Sequence, residues 1–236
     1  MSALAIIPAR GGSKRIPRKN IRQFCGKPII AYSIEAAIKS GCFKNVMVST
    51  DDEEIATIAK KYNADVPFLR SKETANDYAG LGDVVKEVID QYNSSGQIFS
   101  AVCCILPTAP LMQPSDIVSS YVKMTEGNFD TVFPVVRFAY PILRALKEES
   151  GKVSMIWPEY YSHRSQDLTP AFHDCGQFYW LRPEVFMKNK KLFSENSGSI
   201  ELPETRVQDI DSEDDWNICE MKFSLINNVK EIIKSV

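Results

Sequence analysis

The chain has 236 residues, 44% of them hydrophobic and 25% charged, with a formal net charge of −2. This is the composition of a globular domain able to bury a large core, and it lacks the global positive field of a protein that binds nucleic acid polymers or membrane surfaces. No apolar run is long enough to span a bilayer, and the N-terminus reads into a strand without a secretory leader pattern, so a cytoplasmic protein is expected. The six cysteines form no C-x-x-C pair and are expected to be mostly small buried hydrophobes.

In chain order, Leu4 to Ile7 is a short apolar run that predicts a buried strand ended by Pro8, which has no N–H to donate. Gly26-Lys27-Pro28 reads as a turn. Ile30, Ile34, Ala37 and Ile38 then recur at helical spacing as far as Gly41. Asn45 to Ser49 predicts a second strand, Thr50-Asp51-Asp52 a cap for a helix from Glu53 to Tyr62, and Val66 to Leu69 a third short strand. Alternating strands and helices predict a mostly parallel sheet flanked by helices. Arg70 to Asp83 is irregular and polar, and a helix follows over about Val84 to Gln91. Ala101 to Leu106 predicts a central strand in which Cys103 and Cys104 face opposite sides of the sheet. Ser115 is placed to cap a helix from Asp116 to Met124, and Thr131 to Val136 predicts a strand that Pro134 confines to an edge or to a different layer.

From Arg137 to about Phe172 the alternation weakens, and aromatics and prolines accumulate, as in a lobe inserted between core elements. Gln177 to Leu181 predicts a returning strand, Val207 to Ile210 a last short strand carrying acids, and Ser212 the cap of a final helix to about Asn227.

Two stretches carry chemistry. The first follows the opening strand: Arg10, Gly11, Gly12, Ser13, Lys14, Arg15, Arg18 and Lys19 contain no acid. Adjacent glycines permit positive φ and an inward-turned nest of N–H groups, and five cations around it suit a polyphosphate. A solvated basic loop is the alternative. Position decides between them, because ligands of open α/β sheets bind at the carboxyl ends of strands. The loop matches neither a Walker A motif nor G-x-G-x-x-G. The second stretch is Asp209-Ile210-Asp211. In an extended segment both carboxylates reach one face and could share one Mg²⁺, with Ile210 packed behind them. Solvated acids ahead of a helix are the alternative. With only two histidines, His163 and His173, a zinc site is disfavoured.

These residues resemble a known family. Ile7-Pro8-Ala9-Arg10-Gly11-Gly12-Ser13-Lys14, with Pro17, Lys19 and Asn20, is similar to the signature of the sugar-acid cytidylyltransferases, the CMP-sialic acid synthetases and their relatives. The resemblance continues through Gly26-Lys27-Pro28, Ser49-Thr50-Asp51, Pro107-Thr108-Ala109-Pro110 and Asp209-Ile210-Asp211. Phe138 to Leu146 and His173 to Trp180 resemble the pseudaminic acid branch. Leu106 and Met112 stand where the sialic acid branch usually carries Gln and Arg, which argues against sialic acid as the substrate.

The resemblance implies a Rossmann-like nucleotidyltransferase fold with an inserted dimerisation and sugar-binding lobe, over about residues 137–179, in a homodimer. It implies Mg²⁺-dependent transfer of CMP from CTP to a nine-carbon keto-sugar acid (a nonulosonic acid). Arg10, Lys19 and Asp211 are the expected catalytic residues. Ala9, Arg10, Gly11, Gly12, Ser13, Lys14, Lys19, Asn20, Arg70, Asp77 and Gly80 are expected around the nucleotide, and Asp209 and Asp211 around the metal. A sugar acid needs a cation for its carboxylate, for which Arg137, Arg144 and Arg164 are candidates. Tyr140, His173, Gln177 and Tyr179 offer polar tips for the sugar. Core packing is the alternative for Tyr179, a surface or capping role for His173, and an ion pair for each arginine. The competing readings are a CMP-sialic or CMP-legionaminic acid synthetase, a nucleotide-binding regulatory module without turnover, and an interaction protein whose aromatic lobe is simply a dimer interface.

Overall fold

The computed structural model describes residues 2–234. Strand β1 (Ala3–Pro8) leads through a 3₁₀ turn at Lys19–Ile21 to a hairpin of β2 (Gln23–Phe24) and β3 (Lys27–Pro28). Cys25 and Gly26 form its two-residue turn with φ of 42° and 99°, the primed geometry that suits the twist of paired strands. Helix α1 (Ile29–Ser40) follows and ends at Gly41, whose φ of 66° gives a left-handed cap. Next come β4 (Asn45–Ser49), α2 (Glu53–Lys61), α3 (Lys72–Ala75), α4 (Leu81–Ser94) and β5 (Ala101–Ile105). After α5 (Pro114–Glu126) and β6 (Thr131–Arg137), a small hairpin of β7 (Leu146–Glu149) and β8 (Lys152–Met155) stands apart from the main sheet. The chain returns through β9 (Phe172–Asp174), β10 (Phe178–Leu181), α6 (Pro183–Asn189), β11 (Ser197–Glu201) and α7 (Glu213–Lys234).

The main sheet runs β11-β6-β10-β5-β1-β4, with β9 also paired to β6. β1 pairs in parallel with β4 and β5, and β6 with β11, whereas β10 and β9 are antiparallel to their neighbours. Side-chain alternation divides the core. Ala3, Ala5, Ile7, Cys103, Ile105 and Trp180 face α1, α2 and α5 on one side of the sheet. Leu4, Ile6, Val102, Cys104 and Tyr179 face α4 and Phe186 of α6 on the other. Cys103 and Cys104 do point to opposite faces, as expected, and burial pushes both thiols up. A third cluster joins Trp216 and Cys219 of α7 to Phe24, Ile29 and Ile210. Among the described residues no helix is long and apolar enough to cross a membrane.

Several expectations need correction. Val66 to Leu69 is not a strand: beyond β4 there is only a single bridge between Met47 and Asp65. Helix α4 begins at Leu81, three residues early, because Gly80 N–H donates to Asp83 Oδ2 at 3.0 Å and starts it there. Pro134 does not place β6 at an edge. It lies where the antiparallel partner changes from β10 to β9, and the Asp174-to-Gln177 bend between them leaves no ladder acceptor waiting for its missing N–H. Val207 to Ile210 is unpaired chain, held by side chains as described below. Ser197–Glu201, absent from the sequence expectations, is a strand.

Candidate active site

The carboxyl ends of β1 and β5 open onto one cavity of about 630 Å³. It is lined by Arg10, Ser13, Lys14, Arg15, Lys19, Asn20, Arg70, Asp77, Gly80 and Asp209 among others, so most of the expected nucleotide-side residues meet there. The backbone of the basic loop differs from the expected nest. Neither Gly11 nor Gly12 has positive φ, and Gly11 N–H donates to Asp51 Oδ1 at 3.0 Å. Glycine is needed at position 11 for space, since a Cβ would come 2.6 Å from Asp52 Oδ2, whereas Gly12 faces open space. Ala9 is buried and donates its N–H to Ser49 O at 2.9 Å. Ala9, Gly11 and Gly12 shape the turn and do not line the cavity.

The cations are also divided. Arg18 bonds Asp52 Oδ2 at 2.5 Å and Glu54 Oε2 at 2.6 Å, outside the cavity lining. Asp52 in turn caps α2 by accepting from the N–H groups of Glu54 and Ile55, so Arg18 braces a helix start and is not one of five cations around a phosphate. Asn20 is buried and donates to Arg10 O at 2.9 Å, holding the loop in place. Arg70, only 8% exposed, donates to Ser49 Oγ at 3.1 Å and Ser49 O at 2.5 Å, and burial lowers its pKa. Arg10 and Lys14 meet the Asp77 carboxylate, Arg10 Nη1 at 2.7 Å from Oδ1. Asn76 Oδ1 accepts from the N–H groups of Tyr78 and Ala79, which curls this segment over the cavity mouth.

The acidic pair sits opposite. Ile210 is fully buried behind it, as expected. Lys19 Nζ donates to Ile210 O at 2.6 Å and lies 3.7 Å from Asp211 Oδ1, while Arg15 Nη1 lies 2.7 Å from Asp211 Oδ2. Asp215 accepts from the Ser212 hydroxyl at 2.7 Å and from the N–H groups of Asp211 and Ser212, which depresses its pKa. The Arg206 guanidinium binds both oxygens of the buried Asp116, fixing the approach to this segment against α5. Desolvation and the neighbouring Asp211 raise the pKa of Asp209, opposed by the Lys19 charge and by the Ile210 N–H that donates to its carboxylate. A solvent-accessible carboxylate two residues from a second one fits a hard cation completed by water and phosphate oxygens. It is not a closed cage: among the described residues no three His, Cys, Asp or Glu side chains cluster to hold a metal.

Asp209 also lines a second cavity of about 610 Å³, together with Arg137, Tyr140, His173, Asp211 and Lys222. Three of the expected sugar-side residues are thus gathered beside the acidic pair. The others are not. Arg144 bonds Ser165 Oγ at 3.3 Å and Arg164 pairs with Asp167, both away from this cavity. Tyr179 is buried in the core against Phe133 and Phe193, with its hydroxyl donating to Asp174. Gln177 is buried and braces Arg206 O at 2.7 Å. Tyr179 lies on β10 in the middle of the sheet and Gln177 in the bend just before it, and both side chains pack inward instead of reaching solvent.

Residues 4–183 match the cytidylyltransferase family. The chain belongs to that family. Its match to a pseudaminic acid cytidylyltransferase of Campylobacter jejuni is 42% identical over 226 residues, covering 95% of this chain and 97% of that protein. A CMP-N,N′-diacetyllegionaminic acid synthase of Legionella pneumophila is 32% identical over 234 residues, with 95% and 97% covered. Among solved structures, a CMP:2-keto-3-deoxy-manno-octonic acid synthetase complexed with CTP aligns with a TM-score of 0.71 at 17% identity, over 95% of this chain and 99% of that one, which is a likeness of fold.

In this cytidylyltransferase, sequence reasoning missed Gln208 and Lys222 beside the second cavity. Lys222 Nζ donates to Val207 O at 2.7 Å and to Gln208 Oε1 at 3.1 Å. Lys222 adjoins Cys219 and Phe223 on the inner side of α7, so helical periodicity was the available signal. Tyr78, Leu81 and Val84 line the nucleotide-side cavity, and only the polar character of Arg70 to Asp83 pointed there.

Proposed function

We propose that this cytidylyltransferase transfers CMP from CTP to pseudaminic acid and releases pyrophosphate. The observation that carries the reading is that Asp209 belongs to two adjoining cavities, one basic and one lined by Arg137, Tyr140 and His173. A triphosphate in the first and a sugar acid in the second would present the α-phosphorus to the anomeric hydroxyl beside the acidic pair. The new bond joins the anomeric oxygen to phosphorus. The bond to the β-phosphate oxygen breaks, and the hydroxyl proton leaves to solvent or a nearby base. Such transfers need alignment and charge neutralisation more than covalent help.

Arg10 and Lys14 are placed to take charge on the departing pyrophosphate, and Lys19 to hold the acidic segment while facing the phosphates. Asp209 and Asp211 are the proposed Mg²⁺ ligands. When bound, the ion would neutralise phosphate charge and lower the pKa of the attacking hydroxyl. Pseudaminic acid is chosen over other nonulosonic acids by the 42% identity to the C. jejuni enzyme, and Leu106, on the cavity wall, agrees with that choice. The proposed active form is a homodimer through residues 138–172, where Tyr140 is 86% and Tyr161 76% exposed and Leu146 and Val153 also face solvent.

Pyrophosphate release with Mg²⁺ and CTP, with pseudaminic, legionaminic and sialic acids in parallel, tests the reading. Release with pseudaminic acid alone is expected. Release with legionaminic or sialic acid alone would overturn the substrate assignment. CTP binding without release from any of the three would favour a regulatory nucleotide-binding module. Sedimentation equilibrium at twice the chain mass is expected for the dimer, and a monomer at working concentration would remove it.

A further inference from the structure

We propose that Lys222 is the anchor for the substrate carboxylate, which makes α7 part of the sugar-acid site; this rests on the reading of the second cavity given above. An ammonium has three donors. Two of them are fixed, one on Val207 O and one on Gln208 Oε1, both neutral acceptors. The third has no protein acceptor among the described residues, and no carboxylate lies within 4.0 Å of Nζ.

That is unusual surroundings for a half-buried cation, because Glu204, Asp209, Asp211 and Asp215 line the same cavity. Each of the last two has other partners: Asp211 is matched by Arg15 and Lys19, and Asp215 is turned to the N–H groups of Asp211 and Ser212. Lys222 is therefore a pre-oriented positive charge with a spare donor, aimed by two carbonyl-type oxygens instead of neutralised by an acid. A carboxylate entering the cavity gains a charge-assisted hydrogen bond without breaking an existing ion pair. Arg137, which lines the same cavity and makes no ion pair among the described residues, adds a second positive charge.

The alternative is that Lys222 merely braces the backbone ahead of the acidic pair. Calorimetric titration of pseudaminic acid and of its methyl ester into the wild type and Lys222→Gln separates the two. Gln keeps a donor for Val207 O but carries no charge. The variant is expected to bind the acid about 10- to 100-fold more weakly. It should bind the ester as the wild type does and keep the wild-type affinity for CTP and requirement for Mg²⁺. Lys222→Arg should recover part of the lost affinity. Equal losses for acid and ester, or a parallel shift in CTP affinity and Mg²⁺ requirement, would reduce Lys222 to a brace and overturn the proposal. A variant that binds the acid as well as the wild type would overturn it too, while leaving the activity reading intact. If the wild type binds CTP but none of the pseudaminic, legionaminic or sialic acids, the reading of the second cavity fails and the anchor with it.

Discussion

Asp77 Oδ1 lies 2.7 Å from Arg10 Nη1, and the other oxygen of the same carboxylate takes Lys14 Nζ. One acid from the loop ahead of α4 thus occupies the two cations best placed for a leaving pyrophosphate, and both partners depress its pKa. A triphosphate binding there has to displace it. A ligand whose competent state is only partly populated binds more weakly by that fraction. Exposed ion pairs are individually weak, so Asp77→Asn should tighten CTP binding only several-fold, read by calorimetry without sugar acid. Weaker binding would mean that Asp77 supports the bound state.

Arg10 itself should matter for turnover and little for folding. Its guanidinium is held by one exposed carboxylate and Asn76 O, and no core packing depends on it. Removing one preorganised donor to developing charge costs about 3 kcal/mol in the barrier, or roughly a hundredfold. Arg10→Ala is expected to lower kcat by about that factor with an unchanged melting curve. Undiminished turnover would remove Arg10 from the chemistry.

The sequence and the structure agree where a residue type has one physical use and part where it has two. The apolar runs of β1 and β5 could only be buried strands, and Gly41 could only end α1. The basic loop and the acidic pair were legible because unlike charges far apart in the chain make sense only across a shared site. Less legible was what each charge does. Arg18 reads the same as Arg10 in the chain, yet it ends on a helix cap because Asp52 is 34 residues away in sequence and adjacent in space. Gly11 looked like a source of positive φ, but its use is a close approach. Ser197–Glu201 has only Ile200 to announce a strand, and its pairing with β6 is decided by the sheet edge. Tyr179 and Gln177 carry polar tips, but β10 and the bend that enters it leave them no solvent to face.

The close approach at Gly11 gives its own prediction. A methyl group there meets Asp52 Oδ2 at 2.6 Å, and Asp52 cannot yield without loosening both Arg18 and the first turn of α2. Gly11→Ala should destabilise the fold by about 1–3 kcal/mol and raise the KM for CTP. Gly12→Ala, facing open space, should be close to neutral in stability. Equal melting temperatures for the two variants would contradict the steric account.

Asp52 also sets part of the acid response. The Arg18 guanidinium and two helix N–H groups hold its pKa at about 2, below the ordinary 3.8. A depressed carboxylate contributes stability that is complete above its unfolded pKa and is lost as pH falls through the folded one. The loss from this group should therefore fall between about pH 4 and 2. Asp52→Asn keeps a cap but cannot titrate, so its melting temperature should decline less steeply than that of the wild type across that window. Parallel declines would place the acid sensitivity elsewhere. Asp52→Ala, which loses the cap, should cost about 1 kcal/mol at neutral pH.

Asp209 should show the opposite sign. Burial and the nearby Asp211 raise its pKa, so the ionised form is held at a cost that a cation would offset. Replacing it by a neutral amide of the same shape removes the repulsion from Asp211. Asp209→Asn is thus expected to raise the melting temperature of the metal-free protein slightly. The same change should abolish the further rise that Mg²⁺ gives the wild type, and should raise the Mg²⁺ needed for half-maximal turnover at least about tenfold. A paired measurement of melting with and without Mg²⁺ reads both effects at once. A lower metal-free melting temperature would show that Asp209 is a structural acid, and an unchanged Mg²⁺ response would move the metal site off Asp209.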